Sequence, residues 1–579
     1  MTAAPQPRAD RSTTAPSPDP RIGLKAGLTD AGVAAWNMRL VSNVPSPEGF
    51  AGVSNSDLAF RGDLAFQGNY NGFMVWDLSD PERPVLKKPY LCPASQSDVS
   101  VYQNLLFVSG EGLSGRLDCG PQGVQEAVSH HRLRGIRIFD ATDILNPKYL
   151  ANVQTCRGSH THTVVTDPKD KDNVYIYVSG SAGVRSPEEL PGCSALSPEQ
   201  DPNSALFRIE VIKVPLAAPQ DAKIVSSPRI FQDLAAAPRH AAAALDSAER
   251  ARAAAPANRP TPPPQMAARR TGPTQCHDIT VYPAIGLAGG ACGGYGLLLD
   301  IGNVANPVRI GAVADSNFSF WHSATFSNDG SKILFTDEWG GGSAPRCRVT
   351  DKYEWGANAI FTLVNRKMEF KSYYKMPAAQ TAQENCVAHN GSLIPIPGRD
   401  VMVQGWYQGG ISVFDWTDPA KPVEIAFYDR GPVDSTKLTS GGSWSVYWYN
   451  GYMVSSEIAR GLDIFELTPS GFLSQNEIDA AKSVRFEYLN AQEQPKIVWP
   501  PSFSLARAYL DQLERGAGLA TDKLTAARSA LAAAERLSGQ ARRDALSQLA
   551  TQLHSDARGA AQEPKVHLLA SAVGDLAKS

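Results

Sequence analysis

The chain has 579 residues, 42% of them hydrophobic and 20% charged, with a formal net charge of -3. That apolar share excludes a chain disordered throughout, and the near balance of charge excludes the basic excess that draws a protein onto phosphate backbones or anionic lipid. No stretch approaches the roughly 18 consecutive apolar residues of a membrane span, so the expected partner is a small molecule or a protein, with no nucleic acid and no membrane span.

Residues 1–32 open on MTAAPQPRADRSTTAPSPDP, which has no apolar run and little to bury, and predict a disordered leader. The alternating segment WNMRLVSNV from Trp36 reads as a strand with no partner nearby. One phrase then recurs: an apolar run, an aspartate, a short Ser/Thr/Asp cluster, proline, and a second apolar run. It is clearest in GFMVWDLSDPERPVL from Gly72, GIRIFDATDILNPKYLANV from Gly135, YGLLLDIGNVANPVRIGAV from Tyr295 and GISVFDWTDPAKPVEIAFY from Gly410. Weaker copies start near Leu206, Ala359 and Gly461, which makes seven. Each copy predicts two strands joined by a tight turn, and another strand pair precedes each, as in VSVYQNLLFVSG from Val99.

Residues 234–272 are rich in Ala, Pro and Arg and predict a mobile excursion with a short helix over 241–254. From residue 471 the period changes to that of helices. Ser474 and Glu477 have capping-box spacing, and Leu505, Tyr509 and Leu513, or Leu546, Leu549 and Leu553, fall on single helical faces.

Seven four-stranded units over residues 33–470 predict an all-β fold, a seven-bladed β-propeller, with a small α-helical C-terminal tail over 471–579. Pairing the Trp36 segment with the last unit, which has only three strands, would close the ring and leave no exposed edge. The third-strand segments FMVWD, IRIFD, LLLDI and ISVFD resemble the LVIVD-repeat family of bacterial exported proteins. The resemblance covers most of 33–470 and implies the fold, but no activity.

Four histidines share one place in the repeat. In CRGSHTHTVV, CHDITVY, WHSATFS and VAHNGSLI, His160, His277, His322 and His389 each stand three residues before a Thr or Ser; Asn55, Ser97 and Trp444 are their expected equivalents. At the start of the innermost strands they would converge on one mouth of the central channel. Imidazole suits Fe, Cu, Zn and Ni, and four histidines with an open position suit Fe or Cu better than a structural Zn. By fold-level analogy the arrangement is similar to the four-histidine iron centre of carotenoid-cleaving oxygenases, although none of that family's sequence is present. His162 is a substitute ligand. Glu111, Glu338 and Glu457, at the ends of second strands, are expected as a second shell that holds ligand N–H groups, and Trp339, Trp406, Tyr407 and Trp444 as a ligand pocket.

Eight cysteines without a CxxC pair predict disulfides and an exported protein: secreted, periplasmic or at the cell surface. Neighbouring pairs in the repeat are Cys92 with Cys119, Cys156 with Cys193, Cys276 with Cys292 and Cys347 with Cys386, one of the 105 connectivities that eight cysteines allow. There is no GxSxG, GxxxxGK[ST] or HExxH motif. The expected function is a binding or interaction propeller with a ligand or metal at one mouth. The alternatives are a metal-dependent oxidoreductase using the four histidines, and a structural cell-surface component attached through its tail.

Overall fold

The recurring aspartate has a local task that explains the repeat. Asp77, Asp140, Asp300 and Asp415 end the third strands of four units, and each accepts the backbone N–H two residues on, from Ser79, Thr142, Gly302 and Thr417, at 2.8–2.9 Å. Such side-chain turns reverse the chain into the outer strand. The third strands are almost wholly buried, as in Gly72–Asp77, whereas the outer strands alternate, as in Val308–Val313. A strand with a blade on both faces reads as a continuous apolar run; one at the rim alternates.

The computed structural model describes residues 13–206, 208–242 and 272–579. Seven antiparallel sheets form blades 1 to 7, which use residues 55–91, 99–154, 162–226, 276–313, 321–374, 391–430 and 443–467, with each inner strand first in sequence. Met38–Val44 pairs with Gly461–Leu467 as the outer strand of blade 7, so the two ends of the propeller sequence share one blade. Val33–Trp36 adds a fifth strand to blade 6. The chain is thus mostly β, with a seven-bladed propeller and a helical tail.

Part of the leader is ordered, contrary to expectation. Arg21 is 1% exposed, stacks 3.9 Å over the Phe427 ring and pairs with Asp19 and Glu424 at 2.7 and 2.8 Å. A charge buried with two carboxylates supplies the anchor that the leader's composition lacks. The 234–272 excursion also has more to bury than its composition promised. His240 and Ala242 are buried, with the His240 ring 5.4 Å from Trp339 and 4.9 Å from Trp355. Its apolar partners come from blade 5. Residues 243–271, with most of the helix expected at 241–254, lie outside the described residues.

In the tail, Gln475–Ser483 starts at the expected capping box of Ser474 and Glu477. Four further helices, Phe503–Arg515, Thr521–Glu535, Gly539–Asp556 and Glu563–Lys578, share a core that includes Leu513, Leu531, Leu546 and Val573. Glu477 ties this bundle to the propeller, accepting from Arg399 at 3.0 Å and Arg515 at 2.7 Å. Among the described residues no helix is long and apolar enough to cross a membrane.

Between these helices the chain crosses the channel. Tyr488–Asn490 pairs with the end of the blade 1 inner strand at Ala59–Arg61. The Asn490 amide brackets Val101 of blade 2 at 2.7 and 2.9 Å, Gln492 and Gln494 bond Val281 of blade 4 through their backbones, and the Gln494 amide brackets Phe326 of blade 5 at 2.9 Å on each side. All these contacts fall at the ends of inner strands, so the segment covers the mouth opposite the histidines.

Candidate metal and ligand site at the open mouth

Strand register decides which side chains reach the open mouth. In blades 1, 4, 5 and 7 the inner strand begins and the antiparallel second strand ends at the pairs Asn55/Asn69, Cys276/Cys292, Trp321/Asp337 and Ser443/Glu457, each followed by an irregularity in the inner strand. The next inner-strand residue is Ser56, His277, His322 or Trp444. Counting back from Val99/Val108, His162/Val178 and Gly391/Gln404 puts Ser97, His160 and His389 at the same level. Ser56, not Asn55, is therefore the blade 1 equivalent; one residue of bulge separates them. Three residues past the paired second-strand residues Gln67, Val108, Val178, Gly290, Phe335, Gln404 and Ser455, the matching level holds Tyr70, Glu111, Ser181, Gly293, Glu338, Tyr407 and Ile458.

These two levels meet at a cavity of about 730 Å³, lined by His160, His277, His389, Glu111, Glu338 and Tyr70, together with Tyr407, Trp444 and Phe320. The four imidazoles lie in file. Ring centroids are 4.5 Å apart for His160 and His277, 3.9 Å for His277 and His322, and 4.1 Å for His322 and His389. Tyr407 and Trp444 follow at 4.5 and 5.2 Å from His389.

Three of the four have Nδ1 engaged. His160 Nδ1 meets a Glu111 carboxylate oxygen, His277 Nδ1 meets Asp278 at 2.9 Å, and His389 Nδ1 donates to the Trp444 carbonyl. No described residue bonds their Nε2 atoms. His322 is fully buried and neither nitrogen has a hydrogen-bond partner; its Nε2 lies 3.8 Å from Glu338. Potential donor atoms come within 4.8 Å of one another in two triads that share this ring, His322–Glu338–His389 and His277–Asp278–His322. His160 belongs to neither triad.

Burial pushes His322 well below the ordinary histidine range, with the neighbouring imidazoles adding to the effect, and takes His389 down to about 3. Burial also acts on His160, but the Glu111 carboxylate outweighs it and raises the ring, while Glu111 is itself held low by His160 against its own burial. Burial raises Glu338, against the influence of His277 and the hydrogen bond from the Tyr407 hydroxyl. Two neutral imidazoles beside a carboxylate offer lone pairs without a proton to displace.

The other expected site residues divide by register. Tyr407 and Trp444 line the cavity. Trp406 is one residue short of the lining level and packs 5.9 Å from Tyr374 inside blade 6, and Trp339 is one residue past it and packs 4.9 Å from Trp355. Glu457 shares the level of Asp337, not Glu338, and a one-residue step turns a side chain to the other face. It accepts from Gly442 and Ala459 at 2.8 Å and from Arg460, away from the histidines. His162 is buried beside Asp98 and Ser109 and does not line the cavity. Tyr70 and Phe320 escaped the sequence reading, because only strand register places them at the mouth.

The four expected disulfides form: Cys92–Cys119, Cys156–Cys193, Cys276–Cys292 and Cys347–Cys386. Each joins the approach to an inner strand with the end of a second strand or the loop beyond it, so all four brace the open mouth.

Fold and mouth together define a disulfide-braced seven-bladed β-propeller. No family model matches the chain, and no curated protein matches it. Among solved structures it is similar to the periplasmic gluconolactonase of Pseudomonas aeruginosa, at 11% identity over 72% of this chain and 97% of that one, with a TM-score of 0.40. It is also similar to hydrazine synthase of Kuenenia stuttgartiensis, at 9% identity over 73% and 97%, with a TM-score of 0.41. These likenesses concern the fold and carry no argument about activity.

Proposed function

We propose that the protein is an exported LVIVD-repeat propeller that binds a transition metal at its open mouth and receives a small molecule in the cavity above it. The observation that carries this reading is the state of the imidazoles. Three have Nδ1 held by an acceptor and Nε2 free, the arrangement of metal-bound histidines with their outer partners in place, and they flank a fourth whose two buried nitrogens have no partner.

The favoured ligands are His322, His389 and Glu338, with His277 beside them. Two imidazoles and one carboxylate with open positions suit Fe(II); an imidazole-dominated set also suits Cu, and Zn less well because structural Zn closes its tetrahedron. Glu111 acts on His160 and is placed to orient it. The disulfides support export, since such bonds persist outside the reducing cytosol.

Elemental analysis of tag-free protein tests the reading. Stoichiometric iron or copper is expected, lost in a His277→Ala, His322→Ala double variant that keeps its circular dichroism. Metal-free protein that gains no thermal stability from Fe(II), Cu(II) or Zn(II) would refute it.

A further inference from the structure

One residue below the histidine level, every blade places a polar side chain: Asp57, Asp98, Asp278 and Asn390, with Thr161, Ser323 and Ser445. All seven are at most 8% exposed. The ring is narrow enough for Asn390 of blade 6 to donate to Asp57 of blade 1 at 2.8 Å, past blade 7. Three carboxylates face this space and none touches a lysine or an arginine. Asp57 is held by Tyr447 at 2.7 Å; Asp98 accepts from the His162 backbone at 3.1 Å and has the His162 ring 3.3 Å away; Asp278 meets only His277 at 2.9 Å among the described basic groups.

Asp98 Oδ1 is buried without a hydrogen-bond partner. Asp278 Oδ2, Ser445 Oγ and both ends of the Gln492 amide are buried without a hydrogen bond of ordinary geometry, although Ser445 lies near enough to Asp57, and Thr161 and Gln492 near enough to Asp278, to favour those carboxylates. Gln492 is 2% exposed. Buried charge is costly unless it is paired or bound to a metal, and unbonded buried oxygens add to that cost. Burial and the charge of Asp98 push Asp57 up to about 7, whereas His277 holds Asp278 below the ordinary carboxylate range against its burial.

We propose that this ring holds an oxygen-ligated divalent cation of the calcium class on the propeller axis, between the histidines and the crossing segment. The donors are carboxylate, amide and hydroxyl oxygens, which suit calcium and its flexible coordination rather than the nitrogen-preferring metal of the mouth. Water completes the shell. The inference does not depend on the mouth binding anything.

The test uses the full chain, refolded with calcium and then dialysed against calcium-free buffer. Mass spectrometry is expected to find one calcium per chain. Chelator-treated protein should give terbium luminescence sensitised by Tyr447 and displaced by calcium. Asp98→Asn should bind calcium at least about tenfold more weakly while keeping its transition metal, and Ser445→Ala gives a milder loss if Asp98→Asn does not fold. His322→Ala should keep its calcium, so failure at the mouth and failure in the ring are read separately. Folded wild type with neither calcium nor terbium signal overturns the proposal, as does an Asp98→Asn variant that binds calcium like the wild type.

Discussion

Replacing Glu457 by glutamine separates a structural clip from a metal-supporting group. Glu457 is 3% exposed; Oε1 accepts from Gly442 N at 2.8 Å and Arg460 Nη1 at 2.9 Å, and Oε2 accepts from Ala459 N at 2.8 Å and from Arg460 N. Whichever way a glutamine amide turns, its NH2 faces two donors, so two of four charge-assisted bonds are lost. Arg460, which also reaches the carbonyls of Gly27, Leu28 and Gly431, keeps its buried charge but loses its carboxylate partner. Two such bonds and an unpaired guanidinium amount to about 3–5 kcal/mol. Urea unfolding of Glu457→Gln should show that loss, and the folded variant should bind transition metal with wild-type affinity. An unchanged urea midpoint with metal affinity reduced about tenfold or more would show that Glu457 serves the histidines after all.

Tyr407→Phe removes the hydroxyl that bonds Glu338 and should weaken metal affinity by about 10- to 100-fold, the usual effect of losing an outer partner, whereas Trp406→Phe should leave it unchanged; calorimetric titration distinguishes them. Burial pushes Glu493, in the crossing segment, from 4.5 up to about 7. Its native form keeps a proton that the unfolded chain releases, so its contribution to stability is full below about pH 4.5 and is lost as pH rises through 7. Glu493→Gln should therefore narrow the difference between urea midpoints at acid and alkaline pH. A double Cys347→Ser, Cys386→Ser variant, opening a link across 39 residues, should lose about 2–4 kcal/mol in the same assay without losing metal.

The candidate site was partly legible. His160, His277, His322 and His389 share a repeat position, and the fold carries repeat positions to a common height around the axis. Glu111 and Glu338 were found the same way. Glu457, Trp339 and Trp406 failed because each is one residue from the level that faces the cavity, and in a strand one residue reverses the direction of a side chain. Asn55 failed for the related reason that the bulge before Leu58 adds a residue invisible to a motif count. The crossing segment was missed entirely, since Asn490, Gln492 and Gln494 look like an ordinary polar loop until the open strand ends they satisfy are in view.

By itself the sequence determined the local rules: apolar runs that need a sheet on each side, aspartates that turn the chain at their ends, cysteines that flank the same strands, and seven copies of the set. Those rules act over a few residues and survive without knowledge of distant partners. Tertiary structure decided what depends on convergence of separate blades, namely which imidazole nitrogens stay free, which carboxylates stand near them, and what covers the far mouth. Such contacts join residues hundreds of positions apart, and their geometry follows from strand register and ring closure, which no short segment encodes.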